Sequence, residues 1–206
     1  MLGWLHVISG PSGVGKSTII RLLMERIRSL QYSISYTSRK PRIDEKDGRD
    51  YHFVDRETFV QKIDGGDFVE WARVYDDFYG TAFSSLRDPI ERGLDVILDL
   101  DSQGALNIRK HFSESTLTYV LPPSLKILSK RLRERATDVE EVITMRIEKA
   151  SDDLKSCIFY DYILINDDLD ETVTEMESII IAHRCRTSRM LPEIESLFGL
   201  SGEPFS

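Results

Sequence analysis

An α/β fold, a parallel sheet flanked by helices, is what this chain predicts, on three observations. Short β-branched, apolar runs recur between charged, helix-periodic stretches, the pattern of βαβ units. The first run, Trp4-Leu5-His6-Val7-Ile8, feeds directly into Gly10-Pro11-Ser12-Gly13-Val14-Gly15-Lys16-Ser17. That stretch fits G-x-x-x-x-G-K-[ST], and Ile19, Ile20, Leu22, Leu23, Met24 and Ile27 beyond it are spaced for the buried face of a helix.

Strand, glycine loop and helix in that order make the fold a P-loop NTPase-type sheet. Gly10, Gly13 and Gly15 permit backbone angles and close approach that a Cβ would block. The loop's N–H groups can then converge on phosphate oxygens at a helix N-terminus, where the helix dipole also favours an anion. The phosphate-binding stretch is read as Gly10 to Thr18, with Lys16 reaching the β- and γ-phosphates and the Ser17 hydroxyl on Mg²⁺.

The remaining elements follow in order. Tyr32 to Arg92 mixes short alternating segments (Tyr51-His52-Phe53-Val54, Asp67-Phe68-Val69-Glu70-Trp71) with turns at Asp47-Gly48 and Gly65-Gly66. It reads as a small, partly β insertion over the carboxyl ends of the parallel strands, where α/β folds bind ligands. Buried strands are expected at Asp95 to Leu100, at Thr116 to Leu121 (stopped by Pro122-Pro123) and at Tyr162 to Ile165. Ser124 to Arg135 and Val139 to Leu154 form a charged helical pair. Glu171 to about Arg189 reads as a long amphipathic helix, interrupted by Pro192 before a short last helix. The organisation is a core over residues 1–32, 94–124 and 155–206, an insertion over 33–93 and a helical lid over 125–154.

Bulk properties narrow the function classes. The chain has 206 residues, 41% hydrophobic and 30% charged, as expected of one globular domain with insertions. Its net charge of −8 argues against a general nucleic-acid binder. No apolar run is long enough to span a bilayer and no signal-peptide pattern is present. Cys157 and Cys185 lack metal-ligand spacing. A cytoplasmic protein with small-molecule partners, no nucleic acid and no membrane is expected; the sequence leaves the oligomeric state open.

Two arginine groups stand out in this acidic chain. In Ser38-Arg39-Lys40-Pro41-Arg42, two planar forks three residues apart could clamp one phosphate, although an isolated R-x-x-R is more often a solvated loop. Arg131, Arg133, Arg135 and Arg146 are either a charged helix face laced with Glu134, Glu140 and Glu141 or the mobile positive charge of a phosphoryl-transfer site. Asp99 and Asp101 lie two apart at the end of a strand and so on one face. Asp99, with the better apolar run before it, is the candidate for Mg²⁺; a cap on the turn Ser102-Gln103-Gly104 is the structural alternative.

Taken together with Gly48-Arg49-Asp50-Tyr51-His52-Phe53-Val54, Phe68-Val69-Glu70-Trp71-Ala72, Tyr79-Gly80-Thr81, Leu98 to Gly104, Leu121-Pro122-Pro123-Ser124 and Ile165-Asn166-Asp167-Asp168, these motifs resemble the guanylate kinase family over nearly the whole chain. The resemblance implies transfer of the γ-phosphoryl of ATP to GMP, and to dGMP, in purine nucleotide metabolism. It implies that Arg39 and Arg42 hold the GMP phosphate with help from Tyr51 and Tyr79. Ser35, Glu70, Thr81 and Asp101 would read the guanine. Asn166 and Asp167 would line the adenine, and Arg135 and Arg146, with Lys16 and Arg42, would contact the transferring group. The chain departs from the family pattern at Glu134 and Ala136, where glycines commonly flank the lid arginine, and at Tyr36-Thr37-Ser38, where two threonines commonly precede the first arginine. Other readings are a different P-loop small-molecule kinase, a non-catalytic guanylate-kinase-like phosphopeptide-binding module, and a regulatory GTPase. The guanine-reading set argues against the first, the intact Gly15-Lys16-Ser17 against the second, and the lack of an N-K-x-D motif against the third.

Overall fold

A computed structural model describes residues 2–74, 76–134 and 140–199. Among them, the strands β1 (Leu5–Ser9), β2 (Leu30–Tyr32), β7 (Asp95–Asp99), β8 (Thr116–Leu121) and β9 (Tyr162–Ile165) form one sheet in the order β2-β7-β1-β8-β9. Every pairing in it is parallel. Both faces are covered, which is why these strands read as unbroken apolar runs and not as alternating ones. On one face, Ile8, Ile97, Val120 and Leu164 pack against α1 (Lys16–Arg26) and α7 (Leu169–Arg184) through Ile19, Leu23, Val173, Met176 and Ile180. On the other, Leu5, Val7, Val96, Leu98 and Leu117 pack against α3 (Phe83–Glu91) and α4 (Ser102–His111) through Leu86, Ala105 and Ile108. β2 is a three-residue edge strand that the sequence reading assigned to no element.

The insertion carries a second sheet made of β3 (Tyr36–Thr37), β4 (His52–Phe53), β5 (Phe68–Val74) and β6 (Asp77–Ala82), in the order β4-β3-β6-β5. It has its own aromatic core, in which Phe59 stacks on Phe68 and Phe78 at 4.5 and 5.4 Å between ring centroids. The insertion is only partly β. It contains α2 (Arg56–Asp64), capped by the Asp55 side chain accepting from Thr58 N–H at 2.7 Å, and it leads into α3. The helical pair is α5 (Leu125–Glu134) and α6 (Glu140–Asp153), packed through Leu128, Leu132, Ile143 and Ala150. Arg135 and Ala136 lie outside the described residues.

The last helices differ from expectation. The chain breaks at Cys185-Arg186, and α8 (Thr187–Phe198) contains Pro192 within it. The break serves a buried ion cluster. Asp95, 2% exposed, accepts from Arg184 Nε at 2.6 Å, Arg189 Nη2 at 3.0 Å and the Trp4 N–H at 2.8 Å. Arg189 also donates to the Leu2 carbonyl at 2.9 Å, so the cluster ties α7, α8, β7 and the chain start together at the end of the sheet opposite the glycine loop. Asp95→Ala should cost about 3–5 kcal/mol, because two guanidinium groups lose their shared buried counter-charge. Urea unfolding monitored by circular dichroism would measure it.

Candidate active site

The glycine loop leaves β1 at the carboxyl edge of the parallel sheet, where β7 and β8 flank β1 on opposite sides. Glycine is obligatory at two of its positions. Gly10 has φ 140°, and a Cβ there would lie 2.2 Å from the Val120 carbonyl oxygen. Gly15 has φ 107° and is the N-cap of α1; a Cβ there would meet the Asn166 amide nitrogen at 2.6 Å. That amide donates to the Val14 carbonyl at 2.7 Å, so Asn166, 4% exposed, is a strut beneath the loop as well as a lining residue.

Lys16 folds back over the loop, donating to the Gly10 carbonyl at 2.7 Å and lying 3.6 Å from Asp99 Oδ1. Burial pushes the Asp99 carboxyl up from its ordinary value, and the Lys16 ammonium opposes that shift. Asp99 ends β7, but Asp101 does not share its strand face. It is the N-cap of α4, its carboxylate accepting from Gly104 N–H at 2.9 Å, so the capping role falls to Asp101. Both aspartates nonetheless line one cleft of about 340 Å³ with the loop, Lys16, Ser17 and Arg146. Arg146 Nη1 donates to Ser12 Oγ at 3.0 Å. The two described arginines of α5 divide. Arg131 donates to the Asn166 carbonyl at 3.0 Å and lines a second hollow with Thr18 and Asp167. Arg133 turns away and pairs with Glu140 on the surface.

The insertion carries two further groups of residues. Antiparallel pairing sets Glu70 directly across from Thr81, whose hydroxyl donates to the Glu70 carboxylate at 2.6 Å. Tyr36 pairs with Gly80, which puts Ser35 opposite Thr81 on the other side. Burial holds the Glu70 carboxyl above its ordinary value; the Thr81 hydrogen bond opposes this and the Asp101 charge adds to it. The second group is Arg39, Tyr51 and Tyr79. The Arg39 guanidinium lies over the Tyr51 ring at 5.5 Å, and the Tyr51 and Tyr79 rings meet edge to face at 5.9 Å. Burial is the main reason the Tyr51 hydroxyl titrates high; Tyr79 adds to the shift and the Arg39 guanidinium opposes it. Arg42 is exposed beside Arg39.

Sequence reasoning missed one residue here. Glu45 binds Arg39 bidentately, accepting from Nη1 at 2.9 Å and Nη2 at 2.8 Å, and it also accepts the Arg42 N–H at 2.8 Å. Its signal was an acidic residue three positions after Arg42, unremarkable in a chain with 35 of them.

A glycine loop, a lysine and an arginine lining one cleft, with an arginine–tyrosine group on a separate small sheet, is the arrangement of a P-loop kinase acting on a small phosphorylated acceptor. The comparisons carry this further. A sequence model of the guanylate kinase family matches residues 4–183. The guanylate kinase of Carboxydothermus hydrogenoformans is 42% identical over 188 residues, 91% of this chain and 92% of that one. That of Caldanaerobacter subterraneus subsp. tengcongensis is 44% identical over 187 residues, 91% of each. The crystal structure of guanylate kinase from Anaplasma phagocytophilum superposes with a TM-score of 0.76 at 31% identity, covering 98% of both chains. The chain belongs to the guanylate kinase family.

Gly10→Ala should destabilise the fold by about 1–3 kcal/mol, since it combines a strained backbone angle with a clash against β8. Thermal and urea unfolding of the variant would check the value.

Proposed function

We propose that the protein transfers the γ-phosphoryl group of ATP to GMP, giving ADP and GDP, and accepts dGMP as well. The observation that carries this is the Glu70–Thr81 pair, whose carboxylate lies at Gly104 together with that of Asp101, a residue lining the glycine-loop cleft. Guanine presents N1–H and N2–H₂ as adjacent donors and O6 as an acceptor. An ionised Glu70, oriented by the Thr81 hydroxyl that donates to it, can accept from both donors, while the Ser35 hydroxyl can donate to O6. Adenine lacks the donor pair and would leave a buried carboxylate unpaired, a mismatch that can cost about 10⁴-fold in specificity.

In this reading, Arg39 and Arg42 hold the GMP phosphate, with the Tyr51 and Tyr79 hydroxyls beside them. The loop from Gly10 to Thr18 cradles the ATP phosphates, and Asn166 and Asp167 lie along the adenine. The acceptor is already an anion, so no strong general base is required. Catalysis is positioning and charge neutralisation along an in-line path, shared by Lys16, Arg42, Arg146 and, from the family resemblance, Arg135.

Mg²⁺ fits the donor set. Ser17 and Asp99 offer hard oxygen ligands in the cleft that holds Lys16, and no group of three or more His, Cys, Asp or Glu among the described residues forms a cage of its own. An ion held partly by phosphates and water is what such a sparse set suits, and when bound it neutralises charge on the β- and γ-phosphates. Packing of the insertion and the α5–α6 pair over the two nucleotides would exclude water and so limit ATP hydrolysis. No described helix is long and apolar enough to cross a membrane. A cytoplasmic setting is part of the proposal, supported by the free thiols of Cys157 and Cys185.

The test is a coupled ADP-release assay with Mg²⁺·ATP and GMP, dGMP, AMP, CMP, UMP and TMP. Turnover with GMP and dGMP alone is expected; turnover with AMP at a comparable rate would overturn the assignment of the base site. Glu70→Gln should lower kcat/KM for GMP by about 10²-fold, because one acceptor becomes a donor facing a donor. For the wild type, kcat/KM for GMP should fall as pH drops through the raised Glu70 pKa, starting above the ordinary carboxylate value of 4.5, since the protonated acid cannot accept twice. A pH–rate profile would check this, with Glu70→Gln losing that limb.

A further inference from the structure

The Arg39 guanidinium does not wait for phosphate with its full set of donors. Of the five N–H groups an arginine carries, Nη1 uses both of its own, one on Glu45 Oε2 at 2.9 Å and one on the Lys40 carbonyl at 2.9 Å. Nη2 uses one on Glu45 Oε1 at 2.8 Å. What remains is Nε–H and the second Nη2–H. These lie along one side edge of the planar fork, the edge that can bind a phosphate bidentately.

We infer that Glu45 is a positioning residue for the acceptor phosphate: it fixes the rotation of the Arg39 fork so that this side edge faces the phosphate site. The inference rests on the reading of Arg39 as a holder of the GMP phosphate. Three observations support it. The side chains of both partners are largely enclosed, at 17% and 18% exposure, so the pair is better ordered than an ordinary surface ion pair. Glu45 Oε2 also takes the Arg42 N–H, so a single carboxylate sets both the Arg39 side chain and the backbone that carries the second arginine. The Arg39 hydrogen bonds chiefly, and the Arg42 N–H with them, hold the Glu45 carboxyl at a pKa of about 2, so it stays ionised wherever the enzyme works. The Tyr51 and Phe53 rings, at 5.5 and 5.8 Å from the guanidinium, give the fork a face to lie on but, being non-directional contacts, do not set which way its edges point. Glu45 removes that remaining freedom.

The experiment compares Glu45→Gln, Glu45→Ala and Arg39→Ala with the wild type in steady-state kinetics, with guanosine as a competitive inhibitor. Glu45→Gln and Glu45→Ala are expected to raise KM for GMP about tenfold, the loss of one charge-assisted contact, with kcat within about twofold. KM for ATP and the inhibition constant of guanosine, which has no phosphate, should not change. A KM for GMP that stays the same or falls overturns the inference, a fall meaning that the carboxylate competes with phosphate for Arg39. A parallel rise in KM for ATP or in the guanosine constant also overturns it, since the effect is then general damage to the fold. Arg39→Ala separates the two claims. If it leaves KM for GMP unchanged, the reading of Arg39 itself fails. If it raises KM while the Glu45 variants do not, only the inference about Glu45 fails. Glu45 variants made in the Arg39→Ala background should raise KM for GMP by less than they do in the wild type, the remainder being the Arg42 share; an undiminished rise overturns the inference.

Discussion

Everything at this site depends on an eight-residue loop in which Gly10, Gly13 and Gly15 take backbone angles that most side chains would forbid. A phosphate cradle needs its N–H groups turned inward together, and an isolated loop would not hold them there. Here three separate parts of the chain keep the loop in place. The Val120 carbonyl on β8 closes the space beside Gly10, the Asn166 amide at the end of β9 grips the Val14 carbonyl, and Leu132 of α5 lies where any side chain at Gly13 would have to go. The core sheet, its last strand and the lid therefore all meet at one turn. A change in any of them reaches the phosphate site without passing through a ligand.

The acidic chain solves a charge problem locally. With a net charge of −8, its mean field repels nucleotides. Attraction comes from a few cations whose neighbours are chosen to aim them. Lys16 is pinned by backbone carbonyls and drawn to Asp99, Arg146 is anchored on Ser12, and Arg39 is fixed by Glu45. In each case an oxygen does the aiming, and in two of them it belongs to a carboxylate. That explains how a surplus of acid can coexist with sites for anions.

Much of this was legible in the sequence. The inner strands were plain because burial on both faces removes polar interruptions, and the loop was plain because few residue types can form it. The insertion's helices were harder. The cap Asp55 with Thr58 three residues on was a usable signal, but the stretch is short and flanked by β-like alternation. Asp99 and Asp101 look equivalent two residues apart, yet the strand ends between them, and only the backbone reveals that one faces a lysine and the other caps a helix. Asn166 and Glu45 were illegible in their structural roles for a common reason. Their partners are 152 and 6 residues away, and residue type alone does not say which way a polar side chain turns. The helix break at Cys185 followed the demand of a buried aspartate for two arginines, a tertiary cause that local propensity could not reveal.

The α5–α6 pair has a small apolar core of its own, Leu128, Leu132, Ile143 and Ala150, distinct from the cores on either face of the sheet. Its ties to the loop are of two kinds: Leu132 and Leu128 lie against Gly13, and Arg146 and Arg131 reach Ser12 Oγ and the Asn166 carbonyl. Water can replace the polar contacts but not the apolar one. Separating this unit from the loop therefore has a share that salt or a competing anion tunes, carried by the arginines, and a share that follows apolar hydration, carried by the two leucines.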